Sequence, residues 1–143
     1  MIDVHCHLEQ KDYNKDRDDI IKKCREKLKA VISSAAYLDD FKLALEMRKK
    51  YPDFVFVSLG LHPIHINEIK DEDIEKAIGL INKNKNEIVA VGEVGLDYYH
   101  VKDKSLQNKQ KELFRIFIRL AKELNLPLIV HCRDAFEDVL QIL

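Results

Sequence analysis

Met1-Ile2-Asp3-Val4-His5-Cys6-His7 opens the chain, and its apolar and polar residues alternate as in a β-strand. Successive strand side chains point to opposite faces, so His5 and His7 project to one side while Val4 and Cys6 project to the other. Two neutral imidazoles on one face are half of a metal site, although any polar strand end would show the same pattern. The rest of the chain decides between the two. Five apolar, mostly β-branched or aromatic runs recur, at Ile2 to His5, Ala30 to Ser34, Phe54 to Leu59, Ile88 to Glu93 and Leu128 to His131. Each has the length and low polarity of a parallel strand covered by helices. Segments of helical period lie between them, at Asp16 to Lys29, Asp39 to Tyr51, Asp71 to Asn84 and Ser105 to Leu124, and Asp134 to Leu143 begins another. Leu113, Phe114, Phe117, Leu120, Ala121 and Leu124 form the apolar stripe of the longest.

Strict βα alternation means a parallel sheet, either open and doubly wound or curved into a (β/α) barrel. The polar residues choose. Strand 1 ends in His5 and His7, strand 3 runs into Gly60-Leu61-His62-Pro63, strand 4 ends in Glu93 and strand 5 in His131. In a barrel these C-terminal ends converge on one mouth, whereas in an open sheet the outermost would lie too far apart to meet. The Gly-rich phosphate turn of a dinucleotide fold is also missing after strand 1. The expected fold is therefore a (β/α)8 TIM-type barrel of the α/β class. A whole barrel needs about 250 residues, so this chain supplies only about its first five βα units. Residues 1–143 are expected to be the N-terminal part of a single hydrolase barrel domain, with unpaired edges suited to self-association.

Composition removes other classes. Lys and Arg number 24 against 25 Asp and Glu, for a net charge of −1, so there is no general attraction to nucleic acid or anionic membrane and any phosphate recognition must be local. Three cysteines without framework spacing fit a reducing cytoplasm better than a disulfide scaffold. No apolar stretch approaches the roughly 18 residues of a membrane helix, and Asp3 and His5 stand where a signal peptide needs an apolar core. A soluble cytoplasmic protein with no membrane partner is expected.

Imidazole and carboxylate donors suit Zn²⁺, Mn²⁺ or related ions, and Mg²⁺ less naturally. Glu93, flanked by Gly92 and Gly95, is suited to bridge two ions through its two oxygens, with His131 on the second. Two ions would polarise a phosphoryl or acyl oxygen and lower the pKa of water.

Asp3-Val4-His5-Cys6-His7-Leu8, Gly60-Leu61-His62-Pro63, Gly92-Glu93-Val94-Gly95-Leu96-Asp97-Tyr98-Tyr99 and Leu126-Pro127-Leu128-Ile129-Val130-His131-Cys132-Arg133-Asp134-Ala135 together resemble the TatD family of metal-dependent deoxyribonucleases, within the amidohydrolase-like barrel superfamily. The resemblance runs from the first strand to Leu143. It implies two divalent ions (Mg, Mn or Zn) and hydrolysis of DNA phosphodiesters, single-stranded or at 3′ ends. By that match His5, His7 and Glu93 hold one ion, and Glu93 and His131 the other. Family members add a histidine from the sixth strand and an aspartate from the eighth, and neither position occurs in this sequence. Residues 1–143 alone are accordingly expected to bind metal weakly and hydrolyse DNA poorly.

Beside Glu93, the catalytic candidates are His62, placed at the mouth by the resemblance to meet phosphate or the leaving oxygen, and Arg133, which shares the face of His131 and can fork onto a phosphate. The duller reading of Arg133 is a salt bridge to Asp134 or Glu137. Asp3 is expected to support the ligands from one layer deeper, and Asp97 to order the loop after Glu93. Cys6 and Cys132 have the wrong parity for the metals. Tyr98, Tyr99 and His100 are candidates to stack a base, Lys102, Lys104, Lys109 and Lys111 to supply local positive charge, and His65 has no evident partner. Two other functions compete: a barrel hydrolase of small amides, lactones or esters, and a non-catalytic half-barrel that docks onto another chain. The lack of a strand-end lysine for a carbamylated metal bridge favours the nuclease over the first.

Overall fold

The computed structural model describes residues 1–143. Five strands, β1 (Ile2–Cys6), β2 (Ala30–Ala35), β3 (Val55–Leu59), β4 (Ala90–Asp97) and β5 (Leu128–Arg133), form one sheet in sequence order. Every neighbouring pair is parallel, and the sheet is the half-barrel expected from the alternation. The connecting helices are α1 (Arg17–Arg25), α2 (Phe41–Lys50), α3 (Asp71–Lys83) and α4 (Lys104–Leu124), with α5 (Phe136–Ile142) after β5. Short 3-10 turns at Lys11–Tyr13, Leu38–Asp40 and Pro63–His65 shape the mouth loops. Helical periodicity could not announce them, since each is a single turn.

Burial of the apolar helix stripes against the sheet holds the arc together. α4 packs along β4, and Leu113, Phe114, Phe117, Leu120 and Ala121 are all buried there. Its start is fixed by Asp103, whose side chain accepts from the backbone N–H of Leu106 at 3.0 Å. Its end is fixed by Asn125 in the left-handed conformation, with φ 53°. Phe41, Phe54, Ile21, Leu59 and Ile81 complete the interior between sheet and helices.

Two boundaries differ from the sequence expectation in ways that matter for the site. β4 does not stop at Glu93 but continues through Val94-Gly95-Leu96 to Asp97, so Glu93 sits within the strand. Its register against β5 shifts between Val91 and Val94, and the Gly92–Glu93 peptide is cis. Gly92 and Gly95 have φ of 146° and 148°, and both lie close against β5. A Cβ on Gly92 would come within 2.5 Å of the Ile129 carbonyl, and one on Gly95 would strike the His131 carbonyl. The two glycines thus belong to a bulge that lets β5 approach. β1 also shifts register, between Asp3 and Cys6.

Candidate metal centre

Glu93 is the hub of the mouth, and its two carboxylate oxygens face different imidazoles. Oε2 lies 3.1 Å from His5 Nε2 and 3.6 Å from His7 Nε2, both supplied by the end of β1. Oε1 lies 2.8 Å from His131 Nδ1 on β5 and 3.5 Å from His62 Nε2 on the loop after β3. The His5 and His7 Nε2 atoms are themselves 3.2 Å apart. Two groups capable of holding a cation therefore share one carboxylate, His5 with His7 and Glu93, and His62 with Glu93 and His131.

The donor spacing fits a metal. Bonds of about 2.0–2.2 Å to nitrogen and oxygen place neighbouring donors of one coordination sphere roughly 3 Å apart, and the contacts above run from 2.8 to 3.6 Å. Burial opposes the charge on Glu93, but hydrogen bonds from His131 and His62 and the positive fields of His62 and His5 overcome it, holding the carboxyl well below the usual carboxylate range. Glu93 is an anion at any ordinary pH.

Two further carboxylates stand behind the histidines. His7 Nδ1 is 3.1 Å from Glu9 Oε1, and the other Glu9 oxygen accepts from the Ser33 hydroxyl at 2.5 Å. His131 Nε2 is 2.9 Å from Asp97 Oδ2, while Asp97 also accepts from the His100 backbone N–H at 2.7 Å and faces His100 Nδ1 at 2.9 Å. Glu9 raises the pKa of His7 by its hydrogen bond, against burial. Burial lowers that of His131, but hydrogen bonds with Glu93 and Asp97 reverse it, so the net direction is up. Asp97 is held down, despite burial, by the two bonds from His100 and by His131. Gln110 of α4, fully buried, locks this layer: its amide donates to the carbonyls of Pro63 at 2.9 Å and Asp97 at 3.2 Å and accepts from the Asp97 N–H at 3.1 Å.

Glu9, Ser33 and Gln110 carried no sequence signal as site residues. Asp3, expected to support the ligands, instead accepts from the His5 backbone N–H at 3.1 Å and touches neither ring; the supporting role falls to Glu9 because the chain turns back after Leu8. Asp97, buried at the end of β4, does order the segment after it, through its bonds with His100, and it also faces His131. Arg133 is not drawn into the Glu93 cluster, and it makes no salt bridge with Asp134 or Glu137. Its guanidinium stacks 4.0 Å from the Tyr99 ring centroid, with Lys102 Nζ 5.4 Å from the same ring. Tyr98 turns the other way, its hydroxyl donating to Asp138 at 2.5 Å, and Lys111 is paired with Asp138 at 2.7 Å. His65 does have a partner, the Tyr37 hydroxyl. Cys6 faces the helices as parity required, with its thiol pushed up to about 12 chiefly by burial; Cys132 is exposed.

Histidines and a shared carboxylate gathered at the mouth of a parallel α/β arc belong to the metal-dependent hydrolases built on barrels. Residues 2–143 match the family model described as TatD related DNase, and the chain belongs to that family. It is 41% identical over 141 residues to an uncharacterized metal-dependent hydrolase of Methanocaldococcus jannaschii, covering 99% of this chain and 54% of that protein. It is 30% identical over 152 residues to the deoxyribonuclease TATDN3 of Homo sapiens, covering all of this chain and 56% of that one. The crystal structure of a TatD family hydrolase from Entamoeba histolytica superposes with a TM-score of 0.85 at 29% identity, over 99% of this chain and 52% of the other. That of the TatD homologue YJJV from Escherichia coli gives 0.87 at 25%, over 99% and 54%. The chain spans about half the length of the curated relatives it matches. No helix is long and apolar enough to cross a membrane.

Proposed function

We propose that this chain supplies the N-terminal part of a single barrel domain that hydrolyses DNA phosphodiesters with two divalent ions, acting on single strands or 3′ ends. The observation that carries this reading is the division of Glu93, with one oxygen facing His5 and His7 and the other facing His131 and His62. A carboxylate so divided is suited to bridge two cations. His5, His7 and Glu93 would hold one ion, Glu93 and His131 the other. Bound ions of the Mg²⁺, Mn²⁺ or Zn²⁺ kind supply Lewis-acid polarisation of the phosphoryl oxygen and a more acidic water.

The chain's own residues do the rest. Glu9 and Asp97 orient His7 and His131 from behind. Glu93, kept ionised, concentrates negative charge where cations are needed. His62 meets the phosphate at the mouth, and Arg133, stacked on Tyr99, waits at the rim as a second phosphate contact beside a ring able to stack a base. The relatives support the substrate class, since the family is described as DNase and TATDN3 is named a deoxyribonuclease. A cytoplasmic setting belongs to the same reading, because Cys6, Cys24 and Cys132 are all unpaired. A docking role, by self-association or with another chain, is favoured by the exposed apolar margins, Met1, Ile2 and Val4 at β1 and Phe136, Leu140 and Leu143 at the other end.

The test is turnover by a complete barrel that contains this chain, chelator-stripped and resupplied with Mg²⁺, Mn²⁺ or Zn²⁺, on single-stranded DNA and on a panel of lactones, amides and esters; residues 1–143 alone should turn DNA over poorly. Metal-dependent release of nucleotides, lost in Glu93→Gln, is expected. Turnover of a lactone, amide or ester with none of any phosphodiester would replace the nuclease reading by the small-substrate one.

A further inference from the structure

We propose that Tyr37 and His65 form a subsite for the base of the terminal nucleotide of the strand being cut, an inference that rests on the nuclease reading above. Tyr37 stands just beyond β2, and His65 closes the Pro63–His65 turn after β3, so both belong to the mouth. Their ring centroids lie 4.4 Å apart, the planes tilted by 44°, and a hydrogen bond joins the Tyr37 hydroxyl to His65 Nε2. The pair is one ring removed from the metal centre: the His65 centroid is 6.4 Å from that of His62, which packs 4.2 Å from that of His131. Beside Tyr37 and His65 opens a cavity of about 210 Å³. Its floor is apolar, with Leu61 buried and Ile69 half-buried. A cavity below the roughly 300 Å³ at which drug-sized pockets begin, with an aromatic wall and an apolar floor, suits one flat heterocycle.

Charge decides which part of a strand can enter. Asp39 and Glu68 line this cavity, and Asp12 and Asp40 line a second one that shares Tyr37. Lys11 is the one lysine or arginine lining either. Asp73, also at the rim, is already engaged, accepting from the Lys70 backbone N–H at 3.0 Å. The carboxylates of Asp39 and Glu68 are left to accept from the amino group of an adenine or a cytosine. Such a rim repels further phosphates. At the other end of the arc the sign is reversed: Arg133 and Lys102 flank the Tyr99 ring, and Lys104 Nζ lies 5.9 Å from the Tyr98 ring centroid. The phosphates of the continuing strand therefore run toward β5 and the start of α4. On the Tyr37 side only a chain end fits, one base with no phosphate beyond it. This polarity favours trimming from an end over cutting within a strand.

Aromatic carbon-13 NMR of the metal-free full chain, titrated with 2′-deoxyadenosine, reads the site without turnover. Saturable shifts at the Tyr37 and His65 rings are expected, with Tyr51, at the far end of α2, unmoved. Followed at His65, Tyr37→Leu should weaken binding about fivefold or more, the effect of losing one stacking ring. Deoxythymidine, which lacks an amino group, should bind about threefold more weakly than deoxyadenosine, and equal binding would refute the role given to Asp39 and Glu68. Shifts at Tyr99 with none at Tyr37 and His65 would overturn the proposal. In a complete barrel that contains this chain, the second readout is kcat/KM for single strands ending in a normal or an abasic nucleotide. The normal end should be preferred about fivefold or more, and Tyr37→Leu and His65→Ala should each shrink that preference. A preference unchanged in both variants would refute the subsite. If neither measurement responds although DNA is cleaved, the subsite falls and the nuclease reading stands. Deoxyadenosine bound at these rings, with no phosphodiester cleaved, would leave a base pocket and refute its place in a nuclease.

Discussion

β4 and β1 contribute donors to the same cluster from opposite physical situations. All eight residues of β4 are buried, between β3 and β5 and beneath α4, whereas three of the five residues of β1 are exposed and only β2 flanks it. The Glu93 side chain is accordingly 7% exposed and the His5 side chain 39%. Glu93, whose two oxygens face four imidazoles, is held on a fully buried strand, whereas His5 and His7 are carried at the end of a strand that is largely exposed.

The contrast can be broken most sharply beneath β4. Phe117→Ala, which empties a fully buried position on α4, should cost about 3–5 kcal/mol of stability, read as a shift of the urea midpoint. A loss below 1 kcal/mol, on that same scale, would mean that β4 is not the anchored strand. Asp97→Asn should come next, lowering Zn²⁺ affinity by about 10–100-fold without loss of fold by circular dichroism. Unchanged affinity would detach Asp97 from the ordering of His131. Val4→Thr, at an exposed site on β1, should move stability by no more than about 0.5 kcal/mol, and a larger loss would show the edge strand to be as tightly held as the central one.

That His5, His7, Glu93 and His131 would come together was legible because parallel strands put their chemistry at one end, and the apolar runs located those ends. What was hidden depends on short-range geometry that no period encodes. Glu9 is brought behind His7 by the turn after Leu8, and Asp97 reaches His131 because β4 continues past Glu93. Gln110 lies on the buried stripe of α4, where a polar residue reads as an interruption; only the three-dimensional contact with Pro63 and Asp97 gives it meaning. Arg133 was read by parity as facing the ligands, but an exposed guanidinium beside an aromatic ring finds the ring first.

β1 and β4 are not neighbours, since β2 and β3 lie between them. Flat parallel strands about 4.8 Å apart would leave them roughly 14 Å from each other, yet His5 Nε2 and Glu93 Oε2 are 3.1 Å apart. That distance is a measure of curvature. A cation gripping these two residues would be a chord drawn across the bow of the sheet, fastening its loosest strand to its firmest. Ions that bind only the folded form stabilise it by mass action, so loading the centre would set the radius of the bow as well as its chemistry.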